Sequence, residues 1–459
     1  MNRSHPSPDW ATARQLALTL ATALPAETVG IEQAADRTLA NDLPALTDVP
    51  HYASSAMDGW VVAGDAPWLL VNGIGDLPPG QAREIVTGGL IPVGAVGVLR
   101  SENGVPRSDG VAAAALLDRG PTASPDEPFA GQHIRLAGEE VREGAVIIAA
   151  GTVLNPVHLA VAAIAGHDTV QVRRRPRVGL ILSGSEVVES GIAAPGFVRD
   201  AFGPQLPSFL ALLGGVVVAK LRISDDQAQT EAAFGPKALG LTAAETDVLV
   251  TTGGTSNSSA DHMRRALASV GATIVIDGIR MRPGGPTFVA RLVDGRFVAC
   301  LPGNPLAAIM GLLTVVAPLI AGLRGETNGD EPRDSQHGGE IERQPGTEPG
   351  LGQVHGSGPG PGLGQVHGPG PGPGPGQESG LGLGTTVLSH DILPAKGSSR
   401  LLPFRETADG AVVSDWLGSG MLRGLAEADA VLVCPPAGAQ AGETVTTLEL
   451  PWTRRARSR

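Results

Sequence analysis

The chain has 459 residues, 42% of them apolar, which supports roughly two to four domains with real cores, although aromatics at 3% leave Ala, Val and Leu to fill them. A formal net charge of −12 excludes a general nucleic-acid binder, because phosphate contacts need clustered Lys and Arg. No run of about 18 continuous apolar residues occurs and Met1 to Pro8 is polar, so no membrane partner is expected and a cytoplasmic protein is.

In chain order, Trp10, Ala11, Ala13, Leu16, Ala17 and Leu20 recur at roughly helical spacing, and residues 9–45 read as helix with some β. Residues 48–138 change texture to glycines and short β-like runs such as Trp60-Val61-Val62 and Ala95 to Leu99. The fold class expected is multidomain α/β, with an elongated helical N-terminal domain (1–47 plus 139–176) interrupted by an inserted β-domain (48–138). Residues 177–323 alternate strand and helix: Val178 to Leu182, Val216 to Ile223 and Asp247 to Thr251 as strands, with helices at Leu206 to Leu213, from about Asp226, near Asp261 and over Asn304 to Leu323. Continuous apolar strands alternating with helices imply a mainly parallel sheet covered on both faces.

Residues 324–384 break the pattern. Gly and Pro dominate, Pro349 to Gly356 recurs as Pro361 to Gly368, and such a segment cannot bury enough apolar surface to offset its chain entropy, so a disordered linker is expected. His355 and His367 sit in the repeats and are explained by repeat expansion. Residues 385–459 read as a small C-terminal β-domain ending in a solvated basic tail, Arg454, Arg455, Arg457 and Arg459. Cys300 and Cys434 lie in apolar strings and read as small buried hydrophobes, with no Cys-His spacing suggesting zinc.

In an open α/β sheet ligands bind outside the carboxyl ends of the strands. Three acidic or glycine-rich turns fall there: Ser183-Gly184-Ser185-Glu186, then Asp225-Asp226, then Gly253-Gly254-Thr255-Ser256. Glycines let backbone amides approach an anion, and a helix N-terminus favours negative charge. Each has a plainer reading as well: a tight turn for Gly253-Gly254, helix capping for Asp225-Asp226, a Met-Asp-Gly turn for Asp58. Pro302-Gly303-Asn304-Pro305 reads as strand end, turn and helix start, with Asn304 as N-cap and Pro305 in the first turn.

Four stretches together resemble the MoeA/gephyrin family of molybdopterin molybdenumtransferases. They are Asp48 to Trp60 with Ser55-Ala-Met-Asp-Gly59; Gly138 through Gly144, Gly151 and Arg175-Pro-Arg-Val178 into Ser183-Gly-Ser-Glu186; Thr252-Gly-Gly-Thr-Ser256 with Asp261; and Arg282-Pro-Gly-Gly-Pro286 followed by Leu301-Pro-Gly-Asn-Pro305. The resemblance covers nearly all the chain outside the linker. It implies insertion of molybdate into adenylyl-molybdopterin with release of AMP, with Glu186, Asp58, Asp225 and Asp261 as catalytic carboxylates. So many carboxylates would repel an anionic substrate unless a cation intervened, and Mg²⁺ on Glu186, Asp225 and Asp261 suits hard oxygen ligands. Substrate contacts are expected from Ser183, Gly184, Gly253, Gly254, Ser256, Arg282 and Pro286, from Pro302, Gly303, Asn304 and Pro305, and from Arg400 and Ser419 of the C-terminal β-domain. The resemblance also implies a homodimer in which Asp58 reaches the partner's Glu186 site, and a molybdopterin adenylyltransferase upstream.

The chain departs from the family pattern at several positions. Ser185 stands for Asp, and Asp-Ser-Asn becomes Asp200-Ala201-Phe202. Gly-Gly-Val-Ser-Val-Gly becomes Gly253 to Ser258, and the second Lys of Lys-Pro-Gly-Lys-Pro becomes Gly285, with Arg282 at the first. Val96 replaces the Asp of Gly-Ala-Asp, and Gly-Glu-Asp is Gly138-Glu139-Glu140. Two other readings stand beside the enzyme: a paralogue that keeps the pterin-binding fold as a binding or scaffold protein, and a plain nucleotide-binding α/β protein.

Overall fold

A computed structural model describes residues 6–108, 115–235, 245–253, 260–326 and 382–453. Most of the stretch expected as a linker, with His355 and His367, lies outside the described residues, as do Gly254, Ser256 and the arginines of the tail. Two compact units emerge, one of residues 23–175 with 324–326, the other of residues 1–22, 176–323 and 327–459.

The second of these is built on a six-stranded sheet. Its order is Val216–Ile223, Arg177–Ser183, Val248–Thr252, Phe297–Leu301, Phe288–Arg291 and Thr273–Asp277. The first four strands are parallel and the last two antiparallel. One face packs Ile181, Leu249, Phe288, Val298 and Cys300 against Phe234, Met263, Ala266 and Leu267 of the helices Gln227–Phe234 and Ala260–Ser269. Leu180, Leu182, Val248 and Val250 alternate with them, equally buried, on the opposite face. This burial on both faces explains why the strands carry no polar alternation.

The apolar helix at Pro305–Leu323 is long and apolar enough to cross a membrane by length and composition, yet 94% of it is buried inside the protein. It is a core helix, with a π-helical turn at Leu312–Val316. The helix Trp10–Leu20 packs on it. Trp10 donates through Nε1 to Thr314 Oγ1 at 3.2 Å, and the buried Arg14 donates to the Leu313 carbonyl at 2.5 Å. The N-terminal helix therefore belongs with the α/β unit and not with the residues that follow it. Residues 9–45 are expected as helix with some β, and the helix ends at Leu20. Pro25 cannot continue a helix, and Ala26–Gly30 pairs instead as a strand with Thr169–Arg173.

A second six-stranded sheet in the same unit contains Met281–Arg282, Ser399–Thr407, Gly410–Val413, Ala430–Cys434, Thr444–Glu449 and Leu383–Val387. Its core gathers Leu402, Phe404, Leu432, Cys434 and Val445. Both cysteines are free and buried, and burial pushes the Cys300 thiol up to about 12, so it behaves as a hydrophobe.

In the other unit, Gly97–Arg100, Gly59–Ala63, Gln81–Ile85, Trp68–Leu70, Ala115–Arg119 and Gly104–Ser108 form a sheet in that order. Val61, Ala63, Ile85 and Val98 fill one side, and Val62, Trp68, Ala82, Leu99 and Leu117 the other. The segments flanking this insert make short antiparallel pairs and the helix Pro156–Ile164, around Leu39, Leu43, Ile148, Leu154 and Val172.

Candidate functional site

The carboxyl ends of the parallel strands open into a cavity of about 620 Å³. Its lining draws on each turn singled out in the sequence: Ser183, Gly184 and Glu186; Asp225; Gly253; Pro286; and Pro302, Gly303, Asn304 and Pro305. The turns are stitched to one another. Ser183 Oγ donates to the Thr252 carbonyl at 2.8 Å, and Gly253 N–H donates to the Leu301 carbonyl at 3.2 Å. Gly253 has φ +87°, and a Cβ there would sit 2.5 Å from Ser183 Oγ, so the turn requires glycine.

The two aspartates after Ile223 divide their work. Asp226 caps the helix Gln227–Phe234, accepting Gln229 N–H at 2.9 Å. Asp225 lines the cavity. The Ser185 amide donates to Asp225 Oδ2 at 3.4 Å and Asp225 N–H donates to Ser185 Oγ at 3.5 Å, so Ser185, where the family has Asp, ties two loops together without adding a charge. The Glu186 carboxylate lines the same cavity and has no hydrogen-bond or ion-pair partner among the described residues.

Asn304 occupies the N-cap position with Pro305 following, but its side chain makes no capping bond, contrary to expectation. The donor that a cap would satisfy, Ala307 N–H, is taken at 3.1 Å by the Ser419 carbonyl of the C-terminal β-region. The Asn304 amide is left for the cavity, beside a helix N-terminus that favours anions. Gly420, next to Ser419, also lines the cavity.

Several lining residues were not among the contacts expected from sequence. Thr252 is 1% exposed, and its Oγ1 has no partner, an orphaned polar atom of the kind a ligand satisfies. Arg222 donates to Asp200 at 2.5 Å and pairs with Glu189 at 3.1 Å. Asp200 in turn accepts the amides of Phe202 and Gly203, each at 2.9 Å, at the start of the helix Phe202–Leu212. Arg199 and Phe202 complete that wall. Strand alternation could have pointed to Arg222, but nothing local distinguishes it from a solvated cation.

Other expected contacts lie elsewhere. Arg282 and Arg400 are register partners in the C-terminal sheet and are not in the cavity lining. At Gly285 a Cβ would lie 2.9 Å from the Met281 carbonyl oxygen and 3.1 Å from that of Ile279. The turn has no room for the Lys of the family pattern. Asp261 is in the helix Ala260–Ser269, and its side chain is outside the description. Asp58, in the other unit, closes a turn: its Oδ1 accepts Thr87 N–H at 2.6 Å and the Thr87 hydroxyl at 2.9 Å, which hold its pKa below the ordinary value. That unit has its own concavity of about 620 Å³, lined by Asp48, Pro50, His51, Tyr52, Arg135, Glu139 and Glu140 among others. Among the described residues no group of three or more His, Cys, Asp or Glu is arranged to hold a metal.

Residues 9–166 match the family description "MoeA N-terminal region (domain I and II)", and residues 179–322 match "Probable molybdopterin binding domain". A molybdopterin molybdenumtransferase of Synechococcus elongatus is 31% identical over 327 residues, covering 65% of this chain and 76% of the relative. One from Staphylococcus aureus is 29% identical over 321 residues, covering 66% and 72%. In fold, a MoeA protein from Pyrococcus horikoshii superposes with TM-score 0.68 at 21% identity over 97% of this chain and 99% of that one. This chain belongs to the molybdopterin molybdenumtransferase family.

Proposed function

We propose that the chain acts in molybdenum cofactor biosynthesis, inserting molybdate into adenylyl-molybdopterin and releasing AMP. The observation that carries this reading is the strand-end cavity, whose lining brings together Asp225, a Glu186 carboxylate without a partner among the described residues, the free Asn304 amide at a helix N-terminus and the orphaned Thr252 hydroxyl. That combination suits a ligand with both anionic and hydrogen-bonding groups.

Glu186 and Asp225 are the residues that would hold Mg²⁺, which commonly binds through one or two carboxylates plus substrate phosphates. When bound, the ion would supply charge neutralisation at the phosphoanhydride. The chain's own contributions are distinct. The Asn304 side chain orients an anion, the Thr252 hydroxyl donates to a ligand oxygen, and Leu182, Val187 and Pro302 exclude water from one side. Glu186 would hold that ion beside the phosphoanhydride, where charge builds up on the leaving AMP. The same reading takes the protein as a cytoplasmic homodimer fed by a molybdopterin adenylyltransferase, with Asp58 serving the partner's site.

Complementation of a strain lacking its own molybdenum-insertion enzyme tests the reading. Restored molybdenum-enzyme activity is the expected result. No restoration at normal expression would overturn it.

A further inference from the structure

We propose that Arg199 and Phe202 form a clamp for a phosphate-bearing aromatic heterocycle, the guanidinium taking the phosphate and the phenyl ring stacking on the heterocycle. The inference rests on the functional reading above and specifies what part of the cavity grips the ligand. Asp200 and Ala201 separate the two residues. Asp200 is locked by Arg222 and by the amides of Phe202 and Gly203, which fixes the backbone from which both neighbours reach the cavity.

Charge selects Arg199. Among the described residues the lining holds two arginines, and Arg222 is committed to Asp200 and Glu189. Arg199 is exposed and makes no ion pair among the described residues, only a 3.4 Å bond to the Val188 carbonyl. Glu186 and Asp225 make the rest of the cavity acidic, and the turn at Gly285 has no space for a lysine, so an anionic ligand finds its uncommitted lining cation at Arg199.

Shape selects Phe202. Aromatics are 3% of the chain, and Phe202 is the aromatic residue in this lining among the described residues. It is half-buried in the cavity wall, and it takes part in neither of the ring pairs found among the described residues, so its ring is not committed to another aromatic. A flat heterocycle covers that face and gains stacking that tolerates different ring types. Both halves of an adenylylated pterin offer a ring and a phosphate, and the experiment separates them.

Calorimetric titration of the full chain with AMP and with a pterin monophosphate tests the clamp in wild type, Phe202→Ala, Phe202→Tyr and Arg199→Ala. Phe202→Ala should weaken one of the two probes about tenfold, in the range of one stacked ring, with Phe202→Tyr restoring it and melting temperatures unchanged. The probe that responds identifies the clamped half. Arg199→Ala should weaken the same probe and flatten its salt dependence. Wild-type affinity for both probes in Phe202→Ala would overturn the clamp, as would a wild type that binds neither. If that wild type still releases AMP from adenylyl-molybdopterin, the functional reading stands and only the clamp falls.

Discussion

The turn at Glu186 and the turn at Asp58 each present one carboxylate, and they treat it in opposite ways. Asp58 is held by an amide and a hydroxyl of Thr87, which depress its pKa. Glu186 has no partner among the described residues and looks into a cavity shared with Asp225 and an unpaired threonine hydroxyl. The concavities of the two units are alike in volume, about 620 Å³ each, so size does not choose between them. Position does. In the 23–175 unit, Asp48 binds Arg142 and the Glu143 amide and Glu139 binds the Leu136 amide, while Arg135 and Glu140 make no side-chain bond among the described residues. The other cavity lies at the carboxyl ends of parallel strands, where open α/β sheets bind ligands. The buried, unpaired Thr252 hydroxyl forgoes stability that a bonding partner can recover, whereas the exposed Glu186 carboxylate is free to take a ligand at little cost to the fold.

If the 23–175 unit is organised for stability, its own substitutions should be the costly ones. Trp68 is fully buried, donates to the Gly64 carbonyl at 2.9 Å and has the Arg119 guanidinium over its ring. Trp68→Ala should cost about 3–5 kcal/mol, read as a lowered denaturation midpoint of that unit. A loss under 1 kcal/mol would break the comparison.

The α/β unit has one position where sequence repair should fail. Gly285→Lys restores the residue type of the family pattern but pushes a Cβ against two carbonyl oxygens. Overpacking of this kind costs about 1–3 kcal/mol, so the variant should melt lower and release AMP no faster. A faster, equally stable variant would show that the turn opens without strain.

Glu127 sharpens the contrast through pH. Burial pushes its pKa up, but Asn103, the Ser124 amide and Arg100 more than offset this, and it lies below the ordinary value. A depressed carboxylate contributes stability that is present above its unfolded pKa and lost as pH falls through the folded one. Glu127→Gln should therefore cost about 1–3 kcal/mol at neutral pH and progressively less on acidification below the ordinary glutamate range. An equal loss at acid and neutral pH would contradict the assignment.

Much of the α/β unit is legible in the sequence because strands buried on both faces leave uninterrupted apolar runs, as at Val178 to Leu182 and Val248 to Val250. The antiparallel edge, Thr273–Asp277 with Phe288–Arg291, is not, since the Pro-Gly turn between them reads as a motif and hides the pairing. The strand-end turns announce a site, but not which member of each turn serves it. Asp225 and Asp226 are adjacent and identical in type, and only the direction of the helix that follows assigns one to capping and the other to the cavity. Asn304 fails the opposite way. Its sequence context predicts a cap, but a carbonyl more than a hundred residues later, at Ser419, takes the donor. Phe202 shows in the sequence only as a departure from the family pattern and Arg222 only through strand alternation, because their places depend on Asp200 bringing two segments together.

The central claim is that Glu186 serves a ligand rather than the fold. Purified Glu186→Gln, compared with wild type for melting temperature and for AMP release from adenylyl-molybdopterin with molybdate and Mg²⁺ present, tests it most directly. An unchanged melt with release slowed on the order of 10²–10³-fold is the predicted result, the size expected for loss of one transition-state electrostatic contact. Release at the wild-type rate, or a variant that simply unfolds, would contradict it.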